Sequence, residues 1–103
     1  YNEFNGEKNS GIFIRNKTNN PDFYNASAVF VVYCSSDSHA GNASAQENPT
    51  NWNFRGKEIV KAIISELMKG GLLNAKDVVV TGGSAGGMAT FLNADFIKDM
   101  IFS

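Results

Sequence analysis

The sequence has one cysteine, one histidine and one tryptophan among 103 residues, and two prolines. A single cysteine closes no internal disulfide, so Cys34 is either a buried free thiol or the partner of a cysteine elsewhere. With one histidine, no His/Cys/Asp grouping has metal-ligand spacing, and no metal is expected. No apolar run is long enough to span a bilayer: Ala28 to Cys34 is the longest, about a third of the required length. Charge of one sign is also missing. The net charge is −1, which gives no reason to expect nucleic acid or an acidic membrane surface as partner. The sequence opens on Tyr1 without an initiator methionine or a signal-peptide pattern, and it is expected to be a piece of a larger protein.

What remains is globular in composition, 43% hydrophobic and 12% aromatic. The chain is organised around Val78 to Gly87, which reads VVVTGGSAGG. Apolar β-branched residues run into Gly82-x-Ser84-x-Gly86, the G-x-S-x-G pattern of a nucleophile elbow, and helix-like residues follow. The chemistry explains the spacing. A serine is a weak nucleophile until its Oγ is presented to a base and to an oxyanion hole. A sharp strand-to-helix turn presents it, at the cost of a strained backbone. Small residues are then expected on both sides: Gly82 and Gly86 where strand and helix nearly touch, with Gly83, Ala85 and Gly87 keeping the turn uncrowded. The helix N-terminus near Ala85 aims N–H groups at developing negative charge. The blander alternative is a glycine-rich turn with no chemistry. Two cofactor motifs fail on spacing. No G-x-G-x-x-G is present, and a P-loop lysine would have to follow Gly87 where Met88 stands. No cofactor is expected.

Residues 1–24 are polar and rich in Asn, Gly and Lys, with Gly11 to Ile14 as an expected short edge strand. Asn16, Asn25 and Asn42 each open a glycosylation acceptor tripeptide, which leans towards a secreted protein. Ala28 to Tyr33 predicts a strand covered on both faces. The polar run Cys34 to Gly41 then lies at its C-terminal end, where ligands bind in open α/β sheets. Over Lys57 to Lys69 an apolar stripe of Ile59, Val60, Ile63, Ile64, Leu67 and Met68 predicts an amphipathic helix ended by Gly70-Gly71. Val78 to Val80 predicts the next strand, and a second helix runs from about Ala85 to Ile101. The order is strand, crossover helix, strand, elbow, helix: a right-handed βαβα unit of the α/β class with two parallel strands.

The combination of Tyr33-Cys34-Ser35-Ser36-Asp37, Phe54-Arg55-Gly56, Leu72-Leu73-Asn74-Ala75-Lys76 and Gly83-Ser84-Ala85-Gly86-Gly87, in that order, resembles the pectin acetylesterase and Notum family. Together the motifs are specific; singly each is not. The resemblance implies a secreted α/β-hydrolase that cleaves carboxylic esters on an acylated polysaccharide or an acylated protein. It implies Ser84 as nucleophile and the Ala85 backbone N–H as one oxyanion donor. It also implies a glycine-rich oxyanion loop upstream, matched by nothing before Tyr33, and a catalytic Asp and His after the elbow. After Ser84 the sequence offers only Asp95 and Asp99, both inside the expected helix, and no His. Ser38-His39-Ala40 departs from the family's usual residues after the Tyr-Cys-Ser-Ser-Asp run.

These points lead to the expectation that the 103 residues are one partial α/β-hydrolase domain: a loop-rich lead-in over 1–27 and the βαβα unit over 28–103. His39 precedes the serine, where this fold places its base last, so it is read as a rim or surface residue. Asp37 is read as a loop holder that accepts backbone N–H bonds. The expected function is a serine esterase acting through an acyl-enzyme on Ser84. The alternative is a non-catalytic binding member of the same fold.

Overall fold

The structure, a computed structural model, describes residues 10–103. They fall into two compact units, one closing at Val32 and one running Tyr33–Ser103.

In the first unit Gly11–Phe13 forms a turn of 3-10 helix in place of the expected edge strand. The reason lies in Asn20, which is buried. Its Nδ2 donates to the carbonyls of Ile12 at 2.8 Å and Ile14 at 2.9 Å, the acceptors that a strand would need for its ladder. Its Oδ1 accepts from the Phe23 amide at 3.2 Å. Asn16 closes a second side-chain turn, with Oδ1 accepting from Thr18 at 2.8 Å. The Arg15 guanidinium donates to the carbonyls of Tyr24 and Ala26, and Phe13 meets Phe30 edge-on at 5.9 Å between ring centres.

The second unit carries two helices. α1 spans Gly56–Lys69 and α2 spans Ala85–Phe102; they pack on each other. α1 follows its stripe: Ile59, Val60, Ile63, Ile64, Leu67 and Met68 are half-buried, and Lys57, Lys61, Glu66 and Lys69 are exposed. Gly71 ends it in the left-handed region at φ 108°, where a Cβ would be strained. α2 is different in kind. Apolar side chains surround it, and only Ile97 among them is buried among the described residues. Before α1, Ala43 and Phe54 exchange two backbone hydrogen bonds, 2.9 and 2.8 Å, in an isolated antiparallel bridge.

The two expected parallel strands do not form among the described residues. Neither residues 28–33 nor residues 78–80 form a strand. Their side chains explain why these sequences have little hold here. A strand written for burial on both faces is stabilised by paired neighbours and by layers above and below. Val29 is 53% exposed and Val79 61%. α1 forms where the crossover helix is expected, but among the described residues no sheet stands for it to cross.

Candidate active site

Ser84 sits where the pattern expects it, as the residue immediately before α2, with φ 51° and ψ −120°. A non-glycine residue in that region is strained, and such strain persists only where the surroundings over-determine it. The surroundings are glycine. A Cβ added to Gly82 would lie 2.3 Å from both the carbonyl carbon and the oxygen of Gly86. A Cβ added to Gly87 would lie 3.2 Å from the Gly82 oxygen. The incoming segment and the first turn of α2 are therefore in backbone contact, and Gly82 is the residue that permits it.

The expected symmetry about the serine is not found. A Cβ on Gly83 or Gly86 would meet nothing within 4 Å. Gly86 is needed for what its backbone offers Gly82, not for the absence of its own side chain. The Gly86 amide donates to the Gly83 carbonyl at 2.8 Å, and the Met88 amide to the Ser84 carbonyl at 3.1 Å. The Ala85 N–H has no partner among the described residues. The Ser84 side chain is exposed and likewise uncommitted. With Gly87, Met88, Phe91 and Leu92 it lines a shallow, open, largely apolar groove of about 420 Å³.

Asp37 and His39 lie in a second constellation, bonded to neither Ser84 nor each other's side chains. Asp37 holds its loop as expected, and does more. Oδ1 accepts from Ser35 Oγ at 2.5 Å and from the His39 amide at 3.0 Å; Oδ2 accepts from the Gly41 amide at 3.1 Å and the Gly56 amide at 2.7 Å. Gly56 is the first residue of α1, and the residue before it, Arg55, makes no capping bond. Asp37 thus caps α1 from 19 residues away. Burial pulls its pKa up, but the four donors from Ser35, Gly56, Gly41 and His39 outweigh burial and hold it below the ordinary carboxylate value. The approach is close enough to exclude a side chain: a Cβ on Gly56 would lie 2.2 Å from Asp37 Oδ1 and 2.5 Å from the His39 Cα.

His39 is not at the surface. It is 5% exposed, at φ 54°, with its ring 5.0 Å from that of Tyr33 and Nδ1 buried without a hydrogen bond among the described residues. The Tyr33 hydroxyl accepts from the Ser38 amide at 2.9 Å. Loop histidines are usually exposed; this one is turned inward because the Asp37 bonds fold the loop back on itself. Its carbonyl accepts from Asn93 Nδ2 at 3.0 Å. Asn93, 2% exposed on α2, was not among the candidate residues, nor were Gly41 and Gly56. The available signal was an amide in an apolar helix, a poor helix former in its interior.

Cys34 is exposed, which removes the buried-thiol alternative. Asn16, Asn25 and Asn42 are all exposed, as are Asp95 and Asp99. Among the described residues no group of His, Cys, Asp and Glu could hold a metal ion, and no helix is long and apolar enough to cross a membrane.

The pectinacetylesterase family model matches residues 3–103. The chain belongs to the pectinacetylesterase family. It is similar to pectin acetylesterase 5 of Arabidopsis thaliana, 38% identical over 90 residues, which are 86% of this chain and 21% of that protein. It is similar to pectin acetylesterase 4 of the same plant at 37% over 90 residues, 86% of this chain and 22% of that one. Mouse palmitoleoyl-protein carboxylesterase NOTUM is 36% identical over 92 residues, 89% of this chain and 18% of that protein. The chain spans about a fifth of the length of the curated relatives it matches. No solved structure matches it.

Proposed function

We propose that this chain is the nucleophile-bearing part of a secreted serine carboxylesterase with an α/β-hydrolase fold, acting on O-acetyl or O-acyl esters of a polysaccharide or a protein. One observation carries the reading: Ser84 is held at φ 51°, ψ −120° on the N-terminus of α2 with its hydroxyl exposed and the next backbone N–H unspent. A structural turn has no use for a strained, exposed serine. The family membership supports the ester class, since its relatives include pectin acetylesterases and palmitoleoyl-protein carboxylesterases.

In this mechanism Ser84 Oγ attacks the acyl carbonyl as a base takes its proton. The carbonyl oxygen gains the negative charge, and the Ala85 N–H donates to it. Collapse of the tetrahedral species breaks the ester C–O bond, and the alcohol leaves with the proton returned by the base. Water repeats the sequence on the acyl-enzyme and releases the acid. The base is a histidine other than His39, which is buried against Tyr33. Exposure of all three acceptor asparagines agrees with a secreted glycoprotein, and there the exposed Cys34 pairs with a cysteine beyond these residues.

The test is Ser84→Ala in the full-length protein, with a fluorophosphonate probe and an acetyl ester. Turnover should fall on the order of 10⁶-fold, labelling should vanish, and the melting temperature should hold, because alanine meets the same backbone strain as serine. Labelling that survives the substitution places the nucleophile elsewhere. A wild-type protein that neither labels nor turns over supports the non-catalytic binding member instead.

A further inference from the structure

α2 presents a problem that its own sequence does not solve. Helices ordinarily take their rotation about the long axis from an apolar stripe facing the core. α1 has such a stripe. On α2, at about 3.6 residues per turn, Met88, Phe91, Phe96 and Ile97 fall on four different sides. Apolar packing alone therefore leaves the roll of α2 poorly specified. Yet the roll decides the reaction geometry, because Ser84 and the Ala85 N–H are attached to its first turn. A few degrees of rotation re-aim both.

Directional bonds can supply what apolar contact does not. Below the elbow α2 makes one buried side-chain hydrogen bond to another segment: Asn93 Nδ2 to the His39 carbonyl at 3.0 Å. The same nitrogen also donates to Ala89 within the helix at 2.9 Å, which ties the side chain to its own axis. The acceptor is not a free loop. Asp37 holds the His39 amide, the Gly41 amide and the first amide of α1 on one carboxylate. The bond thus runs from the nucleophile helix to an anchor fixed on α1. Asn93 follows Ser84 by nine residues, about 13 Å along the helix. A rigid helix transmits roll over that length.

We propose that Asn93 is a positioning residue for Ser84: its bond to the Asp37-anchored His39 carbonyl sets the rotation of α2 and so the aim of the nucleophile and of the Ala85 oxyanion donor. The proposal rests on the esterase reading above. It differs from a merely structural role in what it moves. A structural residue changes how much protein is folded. A positioning residue changes kcat per folded active site, with KM nearly unmoved, because the ester need not bind differently to react more slowly.

The experiment uses the full-length protein and two variants. Asn93→Leu fills the space without a donor. Asn93→Asp keeps the shape and sets an ionised carboxylate against the His39 carbonyl. Active sites are counted with a fluorophosphonate burst, so that unfolded protein drops out. The expected result is a fall in kcat per titrated site of at least tenfold in both, with KM within threefold of wild type. As pH falls, the introduced carboxyl gains a proton that it can donate, so Asn93→Asp should recover towards wild type while Asn93→Leu should not. Unchanged kcat per site in either variant overturns the proposal and leaves the esterase reading standing. Two variants with no titratable sites and a melting transition lost or lowered by many degrees also overturn it, since they make Asn93 a folding residue; loss of labelling at an unchanged melting temperature is the extreme of the expected result. Wild-type protein without turnover sinks both readings together.

Discussion

Two tight turns in this chain use left-handed backbone in opposite ways. The elbow places one non-glycine residue there, Ser84, and holds it by contact: Gly82 and Gly86 touch backbone to backbone. The loop at 35–41 places three there, Ser36, Ser38 and His39, and is held by hydrogen bonds: Ser35, His39 and Gly41 donate to Asp37, and the Ser38 amide donates to the Tyr33 hydroxyl. In the loop the polar groups of Asp37 are spent on the fold. In the elbow the strained residue's hydroxyl and the following N–H are left over. The difference separates a turn whose polar groups are spent on the fold from one whose polar groups are uncommitted among the described residues. Strain alone marks neither; on the esterase reading proposed above, strain together with uncommitted polar groups at the surface is what makes the elbow the candidate site.

The contrast breaks most severely at Gly82. Gly82→Ala in the full-length protein puts a methyl 2.3 Å from the Gly86 backbone, which has no flexible end to move aside. Overpacking of this kind costs about 3 kcal/mol or more, and here the only relief is to pull the turn away from α2. Melting temperature and probe labelling should fall together. A variant that keeps both would mean that the elbow is not held by contact.

The loop should break differently. Asp37→Ala leaves the amides of His39, Gly41 and Gly56 without their acceptor, and each half-buried donor left unpaired is costly, so a loss of about 2–3 kcal/mol is expected. Because the folded pKa of Asp37 lies below its unfolded value of about 3.9, its contribution is fully present above that value and is lost as pH falls through the folded pKa. Wild type should therefore lose stability more steeply than Asp37→Ala as pH is lowered from 5 towards the bottom of the carboxylate range. Parallel acid profiles for the two proteins would show that the carboxylate is not the anchor.

Legibility in the sequence followed the range of the interaction. Local signals were read correctly: the stripe of α1, the Gly70-Gly71 stop, the start of α2 at Ala85 and the strained serine are all settled within a turn or two of chain. Asp37 was legible as a loop holder because an aspartate among serines is a turn residue. Its role as the cap of α1 was not, since Gly56 is 19 residues away. Asn93 reaches 54 residues to His39, and nothing local announces that partner. The burial of His39 failed for the same reason. The segments at 28–33 and 78–80 failed for another: a strand is a relation between segments, and its apolar residues say what it needs, not whether the described residues supply it.

The smallest expected effect tests the elbow most finely, at the glycine that the G-x-S-x-G pattern makes look indispensable. A side chain at Gly86 points into open space, with nothing within 4 Å, and its φ is not in the left-handed region. The residue is the second of α2, and glycine inside a helix is less favourable than alanine by about 0.5–1 kcal/mol. The contact with Gly82 runs through the Gly86 backbone, which alanine keeps, and so does the carbonyl that accepts from Thr90 Oγ1 at 2.9 Å. Gly86→Ala should therefore raise the melting temperature of the full-length protein by about 1–4 °C and leave kcat within a small factor of wild type. The pair Gly82→Ala and Gly86→Ala is then a single-atom probe of direction: the same methyl, four residues apart, destabilising on the incoming segment and stabilising on the helix. A fall of several degrees in Gly86→Ala would mean that something in the whole protein packs against that face of the turn, and that the elbow is pinched from both sides.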